Sequence, residues 1–265
     1  MELVGYFFSV IIGISLGLIG GGGSILTVPI LVYLFHINPH QSTSYSLFIV
    51  GITALFGAYT HYKLGNLKIK PALLFGVPSL ISLLIVRKVI LPEIPVHLFT
   101  VGNLEISKDL LIMTVFAMLM VAASASMIIK TKEKIPEMPP KPFRLSVIGL
   151  VVGLVTGFLG AGGGFLIIPA LIFFAGLSMK QSVGTSLLII AFNSLFGFGG
   201  DIINGVKMDY PFLFTLSAVA VFGIFIGIQI SKKIDGDKLK PAFGWFVLVM
   251  GIYIIIKEIF FTTGI

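Results

Sequence analysis

The sequence GLIGGGGSILTVP at residues 17–29 decides the fold, because a close copy of it, GFLGAGGGFLIIP, follows at residues 157–169. Over residues 17–31, seven of fifteen positions are identical to residues that lie 140 positions later. The same separation continues without a gap for about forty more residues. It relates Gln41-Ser42 to Gln181-Ser182, and Leu55-Phe56-Gly57 to Leu195-Phe196-Gly197. The chain therefore contains an internal duplication.

Composition indicates a membrane protein. Of the 265 residues, 57% are hydrophobic and only 11% are charged, whereas soluble domains carry roughly 25% charged residues. Apolar runs of about 20 residues recur along the chain, which predicts an all-α polytopic membrane protein. The absence of cysteine excludes disulfides and thiolate metal sites. No basic segment precedes the first apolar run, so we expect that run to be retained and not cleaved as a signal peptide.

Each half begins with two short apolar segments around its glycine run. In the first half they are residues 4–19 and 24–35, which as helices reach only about 24 and 18 Å, short of the roughly 30 Å hydrocarbon core. We therefore expect a re-entrant hairpin or a broken helix, and leave both open. Three spanning helices should follow in each half, at 42–63, 71–90 and 110–129, and at 182–204, 211–230 and a last segment ending near 256. Residues 91–107 are expected to form a loop.

These segments divide the chain into a first membrane repeat at 1–130, a cytoplasmic linker at 131–143 and a second membrane repeat at 144–265. Each half crosses the membrane five times if both short segments span it, or three times if they fold back as a hairpin, so the number is odd either way. An odd repeat reverses the orientation of its successor in the bilayer. The halves are therefore predicted to be inverted repeats, related by an axis in the membrane plane.

The distribution of basic residues predicts the orientation. One side of the predicted topology collects thirteen lysines and arginines, including Lys63 and Lys232, and the other side collects five, including Arg87 and Lys207. Because cytoplasmic loops carry the excess of basic residues, both termini should face outward. The same loop placement explains the net charge of +7, so no nucleic-acid partner is expected.

The glycine runs are the first candidate site. Non-helical backbone at membrane depth is tolerated only where it is buried in protein or lines a cavity, and each run leads into a helix start whose N–H groups attract anions. Close helix packing through small residues is the alternative. The candidate substrate-binding residues of the two runs are Gly20, Gly21, Gly22, Gly23, Ser24, Gly160, Gly162, Gly163 and Gly164.

The start of the third segment in each half is the second candidate. Hydroxyl and amide groups donate hydrogen bonds to oxyanions without a fixed charge, and residues i and i+4 share one helix face. Helix capping is the alternative reading of the same residues. The candidates here are Gln41, Ser42 and Ser46, and Gln181, Ser182, Thr185, Ser186 and the deeper Asn193.

Charged residues are expected to stay out of the middle of every span, with Arg87 and Lys88 reaching the interface from a helix end. His61 and Asp201 occupy equivalent positions in the two halves. Either could carry a coupling proton, although their places near helix ends favour solvent-accessible interfacial residues. Neither the phosphate-loop motif nor a protease or hydrolase motif is present, so an enzyme is not expected.

The two glycine motifs, each followed by Q-S-x-x-x-S and L-F-G, resemble those of the sulfite exporter TauE/SafE family of membrane permeases. The resemblance covers essentially the whole chain and implies a secondary transporter of small sulfur-containing anions such as sulfite or organosulfonates. Ala161 replaces a fourth glycine and Gly164 stands opposite Ser24, so the two half-sites are unequal.

We therefore expect a multi-pass transporter of the cytoplasmic membrane, with the lipid bilayer and a small anion as partners and no cofactor or metal. A negative interior expels anions, at about 2.3 kcal/mol per charge for 100 mV, which favours export. A passive anion channel, a proton-coupled uptake permease for organic anions and a partner subunit without transport remain alternatives. The sequence leaves a homo-oligomer open.

Overall fold

The computed structural model describes residues 2–95, 97–101, 104–128, 142–159, 163–234 and 236–257. A π-helical turn, Val86–Ile90, connects the fourth helix of the first half to a short fifth one. Two antiparallel strands, β1 and β2, precede the last helix of this half. The elements are α1 Glu2–Ile19, α2 Gly22–Tyr33, α3 Pro39–Lys63, α4 Ile69–Ile85, α5 Leu91–Glu93, β1 His97–Val101, β2 Leu104–Ser107 and α6 Lys108–Ile128.

The second half repeats the order of the long helices. A helix pair around a glycine run is again followed by three longer helices, so that α7 to α11 correspond to α1, α2, α3, α4 and α6. The elements are α7 Pro142–Leu159, α8 Gly164–Ala175, α9 Met179–Ile203, α10 Tyr210–Lys233 and α11 Gly236–Lys257.

Six helical stretches in the described residues are long and apolar enough to cross a membrane. Large apolar side chains point outward from them, including Leu73, Phe214 and Phe222, which are between 58% and 65% exposed. A surface of this kind suits lipid rather than water. The predicted all-α polytopic membrane class is confirmed, while the inversion of the halves in a bilayer stays a prediction. The six stretches are Pro39–Lys63, Ile69–Glu93, Lys108–Ala125, Pro142–Leu159, Met179–Ile203 and Tyr210–Lys233.

Two expectations about local structure were wrong. Residues 91–107 contain β1 and β2, not only loop, and their Gly102-Asn103 connection is a two-residue hairpin signal. The first helix of each half is also longer than expected, because α1 and α7 each have 18 residues. Pro142 opens α7 since a proline lacks only an N–H that the first turn leaves unpaired anyway. At about 27 Å, each of these helices nearly matches the hydrocarbon core.

Glycines bring α1 into backbone contact with α10. A Cβ on Gly13 or Gly17 would collide with a carbonyl oxygen of α10, and one on Gly223 or Gly227 would collide with a carbonyl oxygen of α1. Such close approach is the small-residue packing typical of membrane helices. The packing alternative for the repeated glycines therefore holds at Gly17.

The equivalent helices of the other half, α7 and α4, pack in the same way. Gly149 lies against the carbonyl of Phe75, and Gly153 lies against that of Ser79. A Cβ on Gly157 would come within 3.0 Å of the Leu83 carbonyl oxygen. The first helix of each half thus packs on the fourth helix of the other half: α1 on α10, and α7 on α4.

The centre of the molecule is formed by α3 and α9, which run antiparallel and contact each other along their length. Gly57 of α3 packs near Leu187 of α9, and Gly197 of α9 packs near Leu47 of α3. Both helices are buried over most of their turns. Each glycine-run helix pair packs against this central pair.

The predicted boundary between the repeats falls largely outside the described residues, because 129–141 are not among them. Residues 142 and 143, which the predicted linker included, belong to α7. The division into 1–130, 131–143 and 144–265 stays a prediction.

Candidate functional site

The first glycine run forms a sharp hinge between α1 and α2. Gly20 has φ +75°, a left-handed backbone that residues other than glycine rarely adopt. Gly21 follows it, and α2 begins at Gly22. The second run ends similarly, because Gly163 has φ +69° directly before α8. We call residues 20–23 the first hinge and residues 160–163 the second hinge, of which only Gly163 lies in the described part of the chain.

The start of α8 touches the first hinge. A Cβ on Gly164 would lie 2.5 Å from the Cα of Gly21 and 3.1 Å from the carbonyl oxygen of Gly20. It would also lie 2.7 Å from Cδ1 of Ile190 on α9. No side chain larger than hydrogen fits at Gly164 without displacing the first hinge, so the bare backbone there is required by packing.

The first hinge also rests on α9. The Ser186 hydroxyl lies 3.2 Å from the carbonyl oxygen of Gly20 and 2.9 Å from that of Val183, in hydrogen-bond contact with both. A Cβ on Gly20 would approach the Val183 Cα to 2.9 Å. The candidate residue Ser186 therefore belongs to the hinge environment.

Both short helices begin without a capping side chain on the preceding residue, since Gly21 and Gly163 have none. The N-terminal end of a helix carries partial positive charge and N–H groups that point along the axis. Because Gly164 contacts Gly21, two such ends lie together. Of the other hinge candidates, Gly22 and Gly23 are buried, while Gly160 and Gly162 lie outside the described residues, as does the side chain of Ser24.

The first polar residues of α3 and α9 take part in capping. The Gln41 N–H donates to Asn38 Oδ1, and its side-chain amide donates to the carbonyl of Lys207. Gln181 forms a capping box with Ser178. Ser42 and Ser182 each bond to a carbonyl five residues earlier, in Ile37 and Leu177. Their hydroxyls are directed at the helix starts.

The deeper polar residues are buried and differ in their partners. Thr185 Oγ1 accepts a hydrogen bond from the Lys68 N–H at 3.0 Å. The Asn193 amide donates to Ser79 Oγ at 2.7 Å, and its Oδ1 has no partner among the described residues. Ser46, the repeat equivalent of Ser186, has a buried hydroxyl that makes no hydrogen bond to any residue the structure describes. Ser46 is therefore a polar group inside the protein that could still serve a ligand.

A buried ion pair between Arg87 and Asp201 overturns two expectations. Arg87 is 2% exposed and Asp201 is 4% exposed, so neither reaches the interface or solvent. One guanidinium nitrogen of Arg87 donates to Asp201, and Ser44 Oγ donates to the same carboxylate oxygen at 2.5 Å. The apolar residues Val89, Ile90 and Leu91 after Arg87 were the sequence signal for this burial, because they carry the hydrophobic run past the charge.

His61, the repeat equivalent of Asp201, is also buried, at 3% exposure, which corrects the expected solvent access. Its Cβ lies close to Gly184 of α9, the repeat equivalent of Ser44. Neither ring nitrogen has a hydrogen-bond partner among the described residues. At this pair of equivalent positions, the second half has the hydrogen-bonded carboxylate of Asp201. The first half has the imidazole of His61, which has no hydrogen-bond partner among the described residues.

No three His, Cys, Asp or Glu side chains in the described ranges lie together in a way that could hold a metal ion. Four apolar cavities lie along the helix surfaces, and none of the four is lined by a hinge glycine. One of them, of about 570 Å³, is lined by Tyr59, Tyr62 and Phe192 among others. These three side chains are between 49% and 61% exposed, so this groove faces the lipid side.

Comparison with known sequences gives a family over nearly the whole chain. The sequence model of the family described as Sulfite exporter TauE/SafE matches residues 6–254. The chain is similar to the "Probable membrane transporter protein YdhB" of Bacillus subtilis, with 29% identity over 235 residues that cover 88% of this chain and 91% of the relative.

Two further relatives show the same pattern. A "Probable membrane transporter protein" of Xylella fastidiosa is 26% identical over 257 residues, covering 92% of this chain and 91% of the relative. One of Haemophilus influenzae is 26% identical over 268 residues, covering 92% and 94%. No solved structure matches the chain.

Proposed function

Because this chain belongs to the TauE/SafE family of membrane transporters and not to a family of enzymes, we propose that it carries small sulfur-containing anions across the cytoplasmic membrane. Sulfite and organosulfonates are the substrate class, and export is the direction. The observation that carries the proposal is the contact between Gly164 and Gly21, which brings two glycine-started helices together inside the protein.

Backbone dipoles are the proposed source of anion affinity. The N-terminal ends of α2 and α8 each contribute partial positive charge at one place, and the N–H groups of their first turns would donate to oxyanion oxygens. Dipoles and hydroxyls attract an anion less strongly than a fixed positive charge does, so the bound anion can also be released. The proposed site comprises the candidates Gly20, Gly21, Gly22, Gly23, Ser24, Gln41, Ser42, Ser46, Gly160, Gly162, Gly163, Gly164, Gln181, Ser182, Thr185, Ser186 and Asn193.

Inverted repeats would expose this site to the two sides in turn. In support, the helix contacts exchange between halves, because α1 packs on α10 while α7 packs on α4. The two hinges would then approach the site from opposite sides of the bilayer, as in transporters built from inverted repeats with broken helices. Movement of the α1–α10 pair relative to the α4–α7 pair would alternate access to the same anion.

We further propose that the lysine-rich side faces the cytoplasm and that both termini face outward. The membrane potential then drives export of a monoanion by about 2.3 kcal/mol per 100 mV without a coupling ion. His61 and Asp201 are the residues that would carry a proton if the protein instead took up organic anions. The protein could act as a single chain or as a homo-oligomer.

Reconstitution of the purified protein into liposomes tests the proposal. Labelled sulfite and ethanesulfonate should show saturable flux and counterflow, in which an unlabelled anion on one side drives uptake of the labelled one. A passive channel would show flux without counterflow. No flux of any sulfur oxyanion would instead favour a partner subunit that does not transport.

A further inference from the structure

Arg87 occupies an irregular and deeply buried place at the end of α4. It lies on the π-helical turn Val86–Ile90, and such turns are frequent at functional sites. Its backbone carbonyl accepts a hydrogen bond from the Asn204 amide at 3.1 Å, which fixes the turn to the end of α9. A rare backbone thus holds a fully enclosed guanidinium in position.

Within the described part of the chain, this guanidinium forms hydrogen bonds through only one of its three nitrogens. Nη1 donates to Asp201 and lies 3.4 Å from Ser44 Oγ. Nε and Nη2 are both buried and have no partner among the described residues. An unpaired buried donor is costly, and each one in a native structure calls for an explanation.

The two unpartnered nitrogens lie on the same edge of the planar guanidinium. That edge presents parallel N–H groups with the spacing of two oxygens in a carboxylate, phosphate or sulfonate group. Asp201 occupies a different nitrogen, so it holds the side chain while leaving the two-donor edge vacant. The arrangement is that of an oxyanion site whose counter-charge is already in place.

Helix packing brings Arg87 to the level of the last turn of α7. Contacts between α7 and α4 repeat every four residues on both helices: Gly149 lies at Phe75, Gly153 at Ser79 and Gly157 near Leu83. One further step along α4 reaches Arg87, and α7 ends two residues after Gly157, at Leu159. The π-helical turn itself contacts both α7 and α9.

Gly197 of α9 lies beside Arg87, and its Cβ position is 3.1 Å from both Leu47 and Leu83. A Cβ on Gly197 of α9 would lie 3.8 Å from Cδ of Arg87. Ser194, one turn earlier on α9, has a buried hydroxyl without a partner in the described part of the chain. At the repeat equivalent of Arg87 stands Gly227, which packs against the α1 backbone. The two halves are therefore unequal, because this position carries a charge in the first half and a glycine in the second.

We propose that the Nε and Nη2 edge of Arg87 binds two oxygens of the transported oxyanion and that Asp201 is the resident counter-ion. This inference rests on the proposed function and adds a second, charged site for the same anion, beside Gly197 of α9 rather than at the contact of Gly164 with Gly21. The preferred ligand has at least two equivalent oxygens, as sulfite and sulfonates have. Because Asp201 offsets the charge of Arg87, the bound anion is not held by an uncompensated cation and can leave.

Binding and thermal stability of purified variants test the inference, with sulfite and ethanesulfonate as probes. Arg87→Lys keeps a cation for Asp201 but loses the fork, so affinity should fall about 10- to 100-fold. Lys88→Gln removes a charge from the exposed neighbour on the same turn and should leave affinity unchanged. Wild-type affinity in Arg87→Lys would overturn the inference while leaving the proposed function intact.

Asp201→Asn separates an anion site from a purely structural ion pair. Without anion the variant should melt at a lower temperature than wild type, because Arg87 loses its counter-charge. Added sulfite should restore the melting temperature and bind about tenfold more tightly than to wild type. A stability loss that no anion reverses would show a structural pair and overturn the inference.

The two proposals fail separately. If wild type binds neither probe, the sulfur-anion function is wrong, and the same melting experiment is run on Asp201→Asn with nitrate and phosphate. A rise in melting temperature with either anion would support the Arg87 site for another oxyanion class. No rise with any of the four anions would overturn the site as well.

Discussion

Gly164 at the start of α8 lies against Gly21 in the first hinge, so closely that a Cβ on Gly164 would come within 2.5 Å of the Gly21 Cα. The contact joins residues that are far apart in sequence and belong to different halves. It means that the two short helices begin at a common point. In our proposal the anion binds at this point, where their dipoles add.

The hinge glycines of each half should be required for transport. We expect Gly22→Val and Gly162→Val each to abolish sulfite flux in liposomes while the proteins remain inserted and folded. The physical reason is that a branched side chain fills the space offered to the anion and shields the helix N–H groups. Normal flux in both variants would remove the basis for the hinge site.

The packing glycines should behave differently, because they determine stability. Gly153 lies against the Ser79 backbone of α4, so Gly153→Ala should lower the free energy of unfolding by about 1 to 3 kcal/mol, as overpacking does. Gly199→Ala is the matched control, since nothing lies within 4 Å of its Cβ. Thermal melts in detergent measure the difference. Equal melting temperatures for the two variants would contradict the close α4–α7 packing.

Ser186 should support the first hinge without being essential to the fold. Ser186→Ala removes the hydroxyl that contacts the Gly20 carbonyl, a neutral hydrogen bond of about 1 kcal/mol. We expect a KM for sulfite about fivefold higher, with a small loss of stability. Ser124→Ala is the control, because among the described residues that buried hydroxyl bonds only to Val121 of its own helix. Unchanged KM in Ser186→Ala would separate the hinge from substrate binding.

The membrane potential should drive the anion by itself. The liposomes carry a membrane potential set by potassium and no pH gradient. Each 60 mV should raise the ratio of the monoanion concentrations, positive side over negative side, about tenfold at equilibrium. The concentration ratio at equilibrium is the measurement. Accumulation driven by a pH gradient at zero potential would indicate proton coupling, and then His61 and Asp201 become the residues to test.

The predicted orientation can be tested directly, because the chain has no cysteine. Single variants Lys63→Cys and Lys232→Cys should react with an impermeant thiol reagent only from the cytoplasmic side. Lys207→Cys should react only from outside. All three side chains are exposed. Labelling of all three from the same side would contradict the inverted arrangement of the halves.

Much of the fold follows from the sequence because the duplication and the helix signals are local. The short pair of the first half is predicted at 4–19 and 24–35, and the structure has α1 Glu2–Ile19 and α2 Gly22–Tyr33. Periodicity and glycine placement also identified the backbone that now forms the hinges. Local patterns do not predict the contact between Gly21 and Gly164, because it joins residues of different halves.

The ion pair could not be predicted from local pattern. Arg87 and Asp201 lie 114 residues apart, and each is near a helix end, where a charge usually reaches water. Their burial depends on the antiparallel packing of α3 with α9 and on the π-helical turn. The internal repeat does not predict the ion pair either, because Gly184 and Gly227 stand in the other half at the positions of Ser44 and Arg87. Functional asymmetry of this kind appears only once the helices are placed together.

The most direct test of the central claim is counterflow of labelled sulfite in liposomes containing Gly164→Ala, compared with Gly199→Ala. The single added carbon at residue 164 would collide with the first hinge, whereas the one at residue 199 meets open space. Our account predicts a folded, inserted Gly164→Ala protein whose counterflow falls to background, with wild-type counterflow in Gly199→Ala. Wild-type counterflow in Gly164→Ala would show that the meeting point of the two hinges is not where the anion binds.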